Sequence, residues 1–171
     1  MNLTYRTAQF VRSFGARTKL QDLARTWPFL TEPQRALFLR LPAADQLHSL
    51  RVLDALVEAG ESDPDLLAAA LLHDIGKIHR PLHLWERVFV VVVQGLAPQW
   101  AASWADEHGH ALRSALAVAH NHPQWGAEML AGTGASLRLI DLVRRHQDPP
   151  TEPPSDTDRP LRLLQQADNQ S

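Results

Sequence analysis

The sequence contains no cysteine. Disulfides and thiolate-bound metals are therefore excluded, and an intracellular, cytoplasmic protein is the expectation. A charge excess is also lacking: 17 Lys and Arg stand against 19 Asp and Glu, a formal net charge of -2. No global field draws such a chain to nucleic acid or to an anionic membrane. Long apolar runs are missing too. The run Val88 to Val93 is far shorter than the roughly 20 residues that span a bilayer. Met1 to Phe10 has no apolar core of signal-peptide length, so no membrane partner is expected.

The 171 residues suffice for one domain with a real core, and 44 % of them are hydrophobic. Nine are histidines. Histidine is the commonest metal ligand and the usual group titrating near neutral pH. The issue is whether the nine are scattered or placed.

Helical periodicity dominates. Leu47, Leu50, Leu53, Leu56 and Val57 form one stripe at three- and four-residue steps, with Pro42 before it and Gly60 after it. Asp63-Pro64 reads as an N-cap followed by a first-turn proline. The next helix, from Pro64 to about Gly76, is apolar nearly all round (Leu66 to Leu72) and predicts a buried central helix. Residues 84 to 118 predict two helices broken near Gly95 and Pro98. The β-branched run Val90 to Val93 belongs to the first of them, because no partner strands are apparent. Pro123 is expected to open a short helix to Ala131, and Ser136 to His146 forms another. Five prolines make 148 to 160 a loop, and a last helix runs from Asp158 to Asp168. Residues 1–40 predict a basic helical extension bearing Arg6, Arg12, Arg17, Lys19, Arg25, Arg35 and Arg40. A solvated face is the simpler reading of that charge, so nucleic acid is disfavoured as a partner. The tryptophans 85, 100, 104 and 125 are assigned to core by default.

Chemistry concentrates at His73-Asp74-Ile75-Gly76-Lys77. On a helix, neighbouring residues point about 100° apart, so His73 and Asp74 can flank one point. Lys77 falls three and four residues on, on the same face. Burying these groups unpartnered would cost several kcal/mol. A bound cation offsets that cost, and lysine suits an anionic substrate. Elsewhere His48, His122, His146 and Asp168 each have an ordinary explanation as core, cap or surface residues. All of those explanations must hold at once.

The order His48, His73-Asp74, His122-Pro123, His146, Asp168 resembles the HD superfamily of metal-dependent phosphohydrolases. Leu71 to Lys77 looks like the HDIG form of its signature. His122 to Met129 is similar to its His-Pro-x-x-Gly-Ala segment, Val143 to Asp148 to its Val-x-x-His-His-Glu segment, and Ala167-Asp168 to its closing pair. The resemblance covers about 41–171, the expected HD domain, and implies an all-α bundle of about seven to eight helices. It implies two divalent metal ions: one held by His48, His73, Asp74 and Asp168, a second by His122 and His146 with Asp74 bridging. Nitrogen and carboxylate donors suit iron, manganese, zinc or cobalt. Two departures stand out: Gln147 replaces the second histidine of the His-His pair, and Asp148 the glutamate. The Gly-Tyr-Pro segment of the cyclic-di-GMP branch is absent.

The implied activity is hydrolysis of a phosphate ester or anhydride in a small, nucleotide-type substrate by a metal-activated water. Asp74 and Lys77 are the catalytic candidates. Lys77 is the leading expected substrate contact, with Arg145 and Arg87 weaker candidates; for Arg145 a helix C-terminal cation is the simpler reading. His79, His83, His108, His110 and His120 are read as structural or surface residues, the first two near the cleft rim. The rival readings are an HD-fold di-iron oxygenase and a non-catalytic HD signalling module.

Overall fold

The structure is a computed structural model that describes residues 20–149 and 158–171. Among these the chain is helical without strands: α1 (Leu20–Ala24), a 3₁₀ turn (Trp27–Phe29), α2 (Glu32–Phe38), α3 (Ala43–Glu58), α4 (Pro64–Leu72), a second 3₁₀ turn (Ile75–His79), α5 (Leu84–Leu96), α6 (Pro98–Trp104), α7 (Ala111–Ala131), α8 (Leu137–Arg145) and α9 (Arg159–Gln170). None of them is long and apolar enough to cross a membrane.

α4 is the axis of the bundle. The Asp63 carboxylate accepts from the amides of Asp65 at 3.0 Å and Leu66 at 3.3 Å, which starts the helix. Every residue from Leu66 to Leu72 is buried, so the helix has no solvent face. α2, α3, α8 and α9 pack around it. Each fully buried leucine in this layer contributes about 1.5–3 kcal/mol by leaving water. A satellite core joins α5 and α6 to α7 through Val90, Ala101, Ala115 and Leu116. α3 ends where Gly60 takes φ 82°, a left-handed turn open to glycine at little cost.

Several sequence expectations are corrected. The helix expected to run to Gly76 stops at Leu72. His73 caps it, and Asp74 sits at φ -94°, ψ 5° before the 3₁₀ turn. The tighter turn lets Gly76 touch α7: a Cβ there would stand 2.0 Å from the His122 carbonyl oxygen. Residues 84 to 118 hold α5, α6 and the start of α7 rather than two helices, with a further break at 105–110. Pro123 does not open a helix but lies inside the 21-residue α7.

Tryptophans 85 and 100 are about half exposed, and Trp100 stacks on Trp104 at 4.6 Å on the surface rather than in the core. The described part of the N-terminal region supplies Leu30 and Phe38 to the main core. Its Arg35 donates to the carbonyls of Leu30 and Trp27, both at 2.9 Å. Arg6, Arg12, Arg17 and Lys19, and most of the 148–160 loop, lie outside the described residues.

Candidate metal centre

Five parts of the chain converge on the end of α4. His48 comes from α3, His73 and Asp74 from the turn after α4, His122 from the middle of α7, His146 from the end of α8 and Asp168 from the last turn of α9. Two glycines make this possible. Gly76 lies against the α7 backbone at His122 and Gly126, and a Cβ on Gly126 would meet the Gly76 nitrogen at 3.2 Å. The backbone contact sets Asp74 beside His122.

Asp74 faces two groups at once. Its Oδ1 is 3.2 Å from His122 Nε2, and its Oδ2 is 3.6 Å from His73 Nε2. His48 Nε2 is 2.8 Å from Asp168 Oδ1, which also lies 3.5 Å from His73 Nε2. His122 and His146 meet at 3.2 Å through their Nε2 atoms. In the set His48, His73 and Asp74, and in the set Asp74, His122 and His146, one donor atom from each residue lies within 4.8 Å of the others. Asp74 belongs to both sets.

The tautomers are fixed from outside the cluster. His73 Nδ1 donates to the Ala70 carbonyl at 3.0 Å, and His146 Nδ1 to that of Val143 at 2.7 Å. His122 Nδ1 divides its proton between the carbonyls of Val118 and Ala119, each at 3.1 Å. All three rings thus turn Nε2 inward, the arrangement of a metal-ligating histidine.

Inside the protein this arrangement is incomplete. His73 Nε2 is buried with no hydrogen-bond partner among the described residues. A buried polar atom left this way costs free energy, and a bound cation would satisfy it. The donor set of four imidazoles and two carboxylates, without sulfur, fits a divalent transition metal. On these grounds the residues present are compatible with divalent metal binding.

Charge inside the cluster is strongly organised. Burial would raise the Asp74 pKa, but Lys77, then His73 and His122, hold the carboxyl well below the usual range. Burial would lower that of Lys77, and Asp74 and Asp45 raise it instead. Lys77 Nζ lies 2.5 Å from Asp74 Oδ2. Burial also opposes ionisation of Asp168, and its bond to His48 and the nearby His73 overcome this, keeping it ionised. His146 is pushed down to about 3 by burial and by its histidine neighbours, so it is a neutral donor at neutral pH.

A cavity of about 290 Å³ opens onto Asp74, His122, Asp168 and Lys77. Its wall includes Leu82, Val90 and Val91 on one side and Arg51 on the α3 side. A second cavity of about 440 Å³ reaches His146 and shares Gln94, Gln147 and Asp168 with the first. Gln147 Nε2 is 3.4 Å from His122 Nε2, so the amide replacing the family's second histidine still faces the centre.

A family profile for the HD domain matches residues 47–171. The chain belongs to the HD family. Comparison with curated proteins and with solved structures returns no match. Within this HD domain the structure brings His48, His73, Asp74, His122, His146, Asp168 and Lys77 together. Arg145 stands apart. It is engaged by Asp158 at 2.9 Å and Asp141 at 3.2 Å and does not line the first cavity. Arg87 does line it, but makes two bonds of 2.7 Å to the buried Asp45. His79 and His83 are not among the residues lining either cavity; His79 packs on Trp125 instead, with ring centres 4.4 Å apart. Sequence reasoning missed Asp45 and Arg51. Their spacing of three residues on either side of His48 was the available signal.

Proposed function

We propose that this HD domain is a metal-dependent phosphohydrolase acting on a small organic phosphate ester or anhydride of nucleotide type. The observation that carries the reading is the single buried carboxylate, Asp74, facing two histidine groups with its two oxygens while Lys77 grips it from the cavity side. One cation would be held by His48, His73, Asp74 and Asp168, the other by Asp74, His122 and His146. Bound there, the pair would polarise phosphoryl oxygens and bring the pKa of water towards neutrality.

The remaining steps belong to the chain's own side chains. Lys77 sits on the cavity wall, where its ammonium can neutralise charge growing on the phosphoryl oxygens. The carbonyls of Ala70, Val118, Ala119 and Val143 keep the imidazoles oriented, so little reorganisation is needed as charge develops. In the reaction the water oxygen bonds to phosphorus, the bond to the leaving oxygen breaks, and that oxygen takes one of the water's protons. No electrons are transferred.

The test is a panel of nucleoside mono-, di- and polyphosphates and phosphodiesters, assayed with manganese- or iron-loaded protein in air and under nitrogen. Equal release of phosphate or nucleotide in both atmospheres supports the hydrolase. Turnover that requires oxygen supports the di-iron oxygenase instead. No turnover on any substrate leaves the non-catalytic module standing.

A further inference from the structure

The cations around the first cavity are not equivalent. Arg87 is engaged twice by Asp45, and Lys77 by Asp74. Arg51 lines the same cavity, three residues after His48 on α3 and therefore on the same face. It is half-buried, and no hydrogen bond or ion pair joins it to another described residue. The carboxylates next to it in sequence on α3 and across the same cavity have other partners. Asp54, one turn further along α3, is held by Arg25, and Asp168 by His48. An arginine left uncommitted beside a centre built for phosphoryl chemistry calls for an anion.

We propose that Arg51 is a phosphate-binding residue of this HD domain, in the place the sequence offered to Arg145. Its planar fork presents paired N–H donors that match two oxygens of a phosphate, a geometry lysine cannot reproduce. The wall carrying Leu82, Val90 and Val91 then receives the carbon part of the substrate. The ligand class is an organic phosphate with a flat or apolar group attached, and not inorganic phosphate or polyphosphate alone. This rests on the phosphohydrolase reading.

The experiment compares wild type, Arg51→Ala and Arg51→Lys, each loaded with manganese and each checked for unchanged metal content and melting temperature. Binding of phenyl phosphate and of inorganic phosphate is measured by calorimetry, and turnover with p-nitrophenyl phosphate. Arg51→Ala should weaken phenyl phosphate about tenfold or more. It should raise KM by a similar factor while kcat changes less than about threefold. Arg51→Lys should recover part of the loss, and wild type should bind phenyl phosphate more tightly than inorganic phosphate. Wild-type affinity and KM retained within about twofold in Arg51→Ala would overturn the assignment and leave the hydrolase intact. Binding that depends on Arg51 without turnover would uphold the subsite and overturn the hydrolase alone. No binding to wild type overturns both.

Discussion

His122 Nδ1 lies 3.1 Å from the carbonyl oxygen of Ala119, the acceptor that Pro123 leaves without its helical donor. In an unbroken helix the amide of residue 123 would bond that oxygen. Proline has no amide hydrogen, and its ring crowds the same carbonyl. The vacated acceptor takes the imidazole proton of the preceding residue, which turns His122 Nε2 towards Asp74.

Pro123→Ala separates stability from site geometry. Restoring the amide should stabilise α7 by about 1 kcal/mol and raise the melting temperature by about 3 °C. The new amide competes for the Ala119 oxygen and leaves the His122 ring held by the Val118 carbonyl alone. Affinity for the cation at the His122–His146 end should fall about tenfold, as for other groups that orient metal ligands. Thermal melts and metal titrations of the same variant check the opposite signs. A variant that gains stability and keeps full metal affinity would remove Pro123 from the account.

Gly76→Ala should be among the most damaging single substitutions. The added Cβ would stand 2.0 Å from the His122 carbonyl oxygen and 2.8 Å from the Gly126 nitrogen, and both are backbone atoms that cannot step aside. Overpacking of this kind costs about 3 kcal/mol or more. Gly132→Ala is the control. Its Cβ meets only an ordinary contact of 3.4 Å, and its stability should stay within about 0.5 kcal/mol of wild type. Urea denaturation of both variants measures the difference.

The six clustered residues were legible because their chemistry and order survive in one dimension. The spacing of Gly76 and Gly126 was visible as well, but not the reason for it, which is the contact of two backbones. Pro123 misled because the usual rule treats an internal proline as a break. Here a side chain, not a backbone amide, satisfies the freed carbonyl, and no propensity records that. Arg145 and Arg51 were indistinguishable in kind. Which carboxylates engage an arginine is decided by tertiary packing: Asp158 reaches Arg145, whereas Asp54, one turn from Arg51, is bonded to Arg25. The tryptophans of α5 and α6 follow the same logic, since a large aromatic ring marks core only if its helix presents that face inward.

Without metal, stability should depend on pH through His73. Burial alone would lower its pKa, but Asp74 and Asp168 outweigh burial and push it up to about 9. The unfolded value is about 6.5. A raised folded value means the imidazolium's contribution is complete below about pH 6.5 and lost as pH climbs through about 9. His146, pushed down to about 3, acts only below about 6.5, where its contribution is lost as pH falls towards 3. The melting temperature of chelator-treated protein should therefore drop by several degrees between pH 7 and 9.5. That of metal-loaded protein should stay level, because a ligated His73 carries no proton to lose. A metal-free melting temperature that is flat or rising over this range would contradict the assignment.

The central claim is that one carboxylate organises two cation sites. Metal analysis of purified, manganese- or iron-loaded protein tests it most directly, with Asp74→Ala beside wild type and circular dichroism to confirm that both remain helical. Wild type should hold about two cations per chain and Asp74→Ala close to none, since both ligand sets share that residue. A wild type that retains no cation, or an Asp74→Ala protein that still holds two, would contradict it.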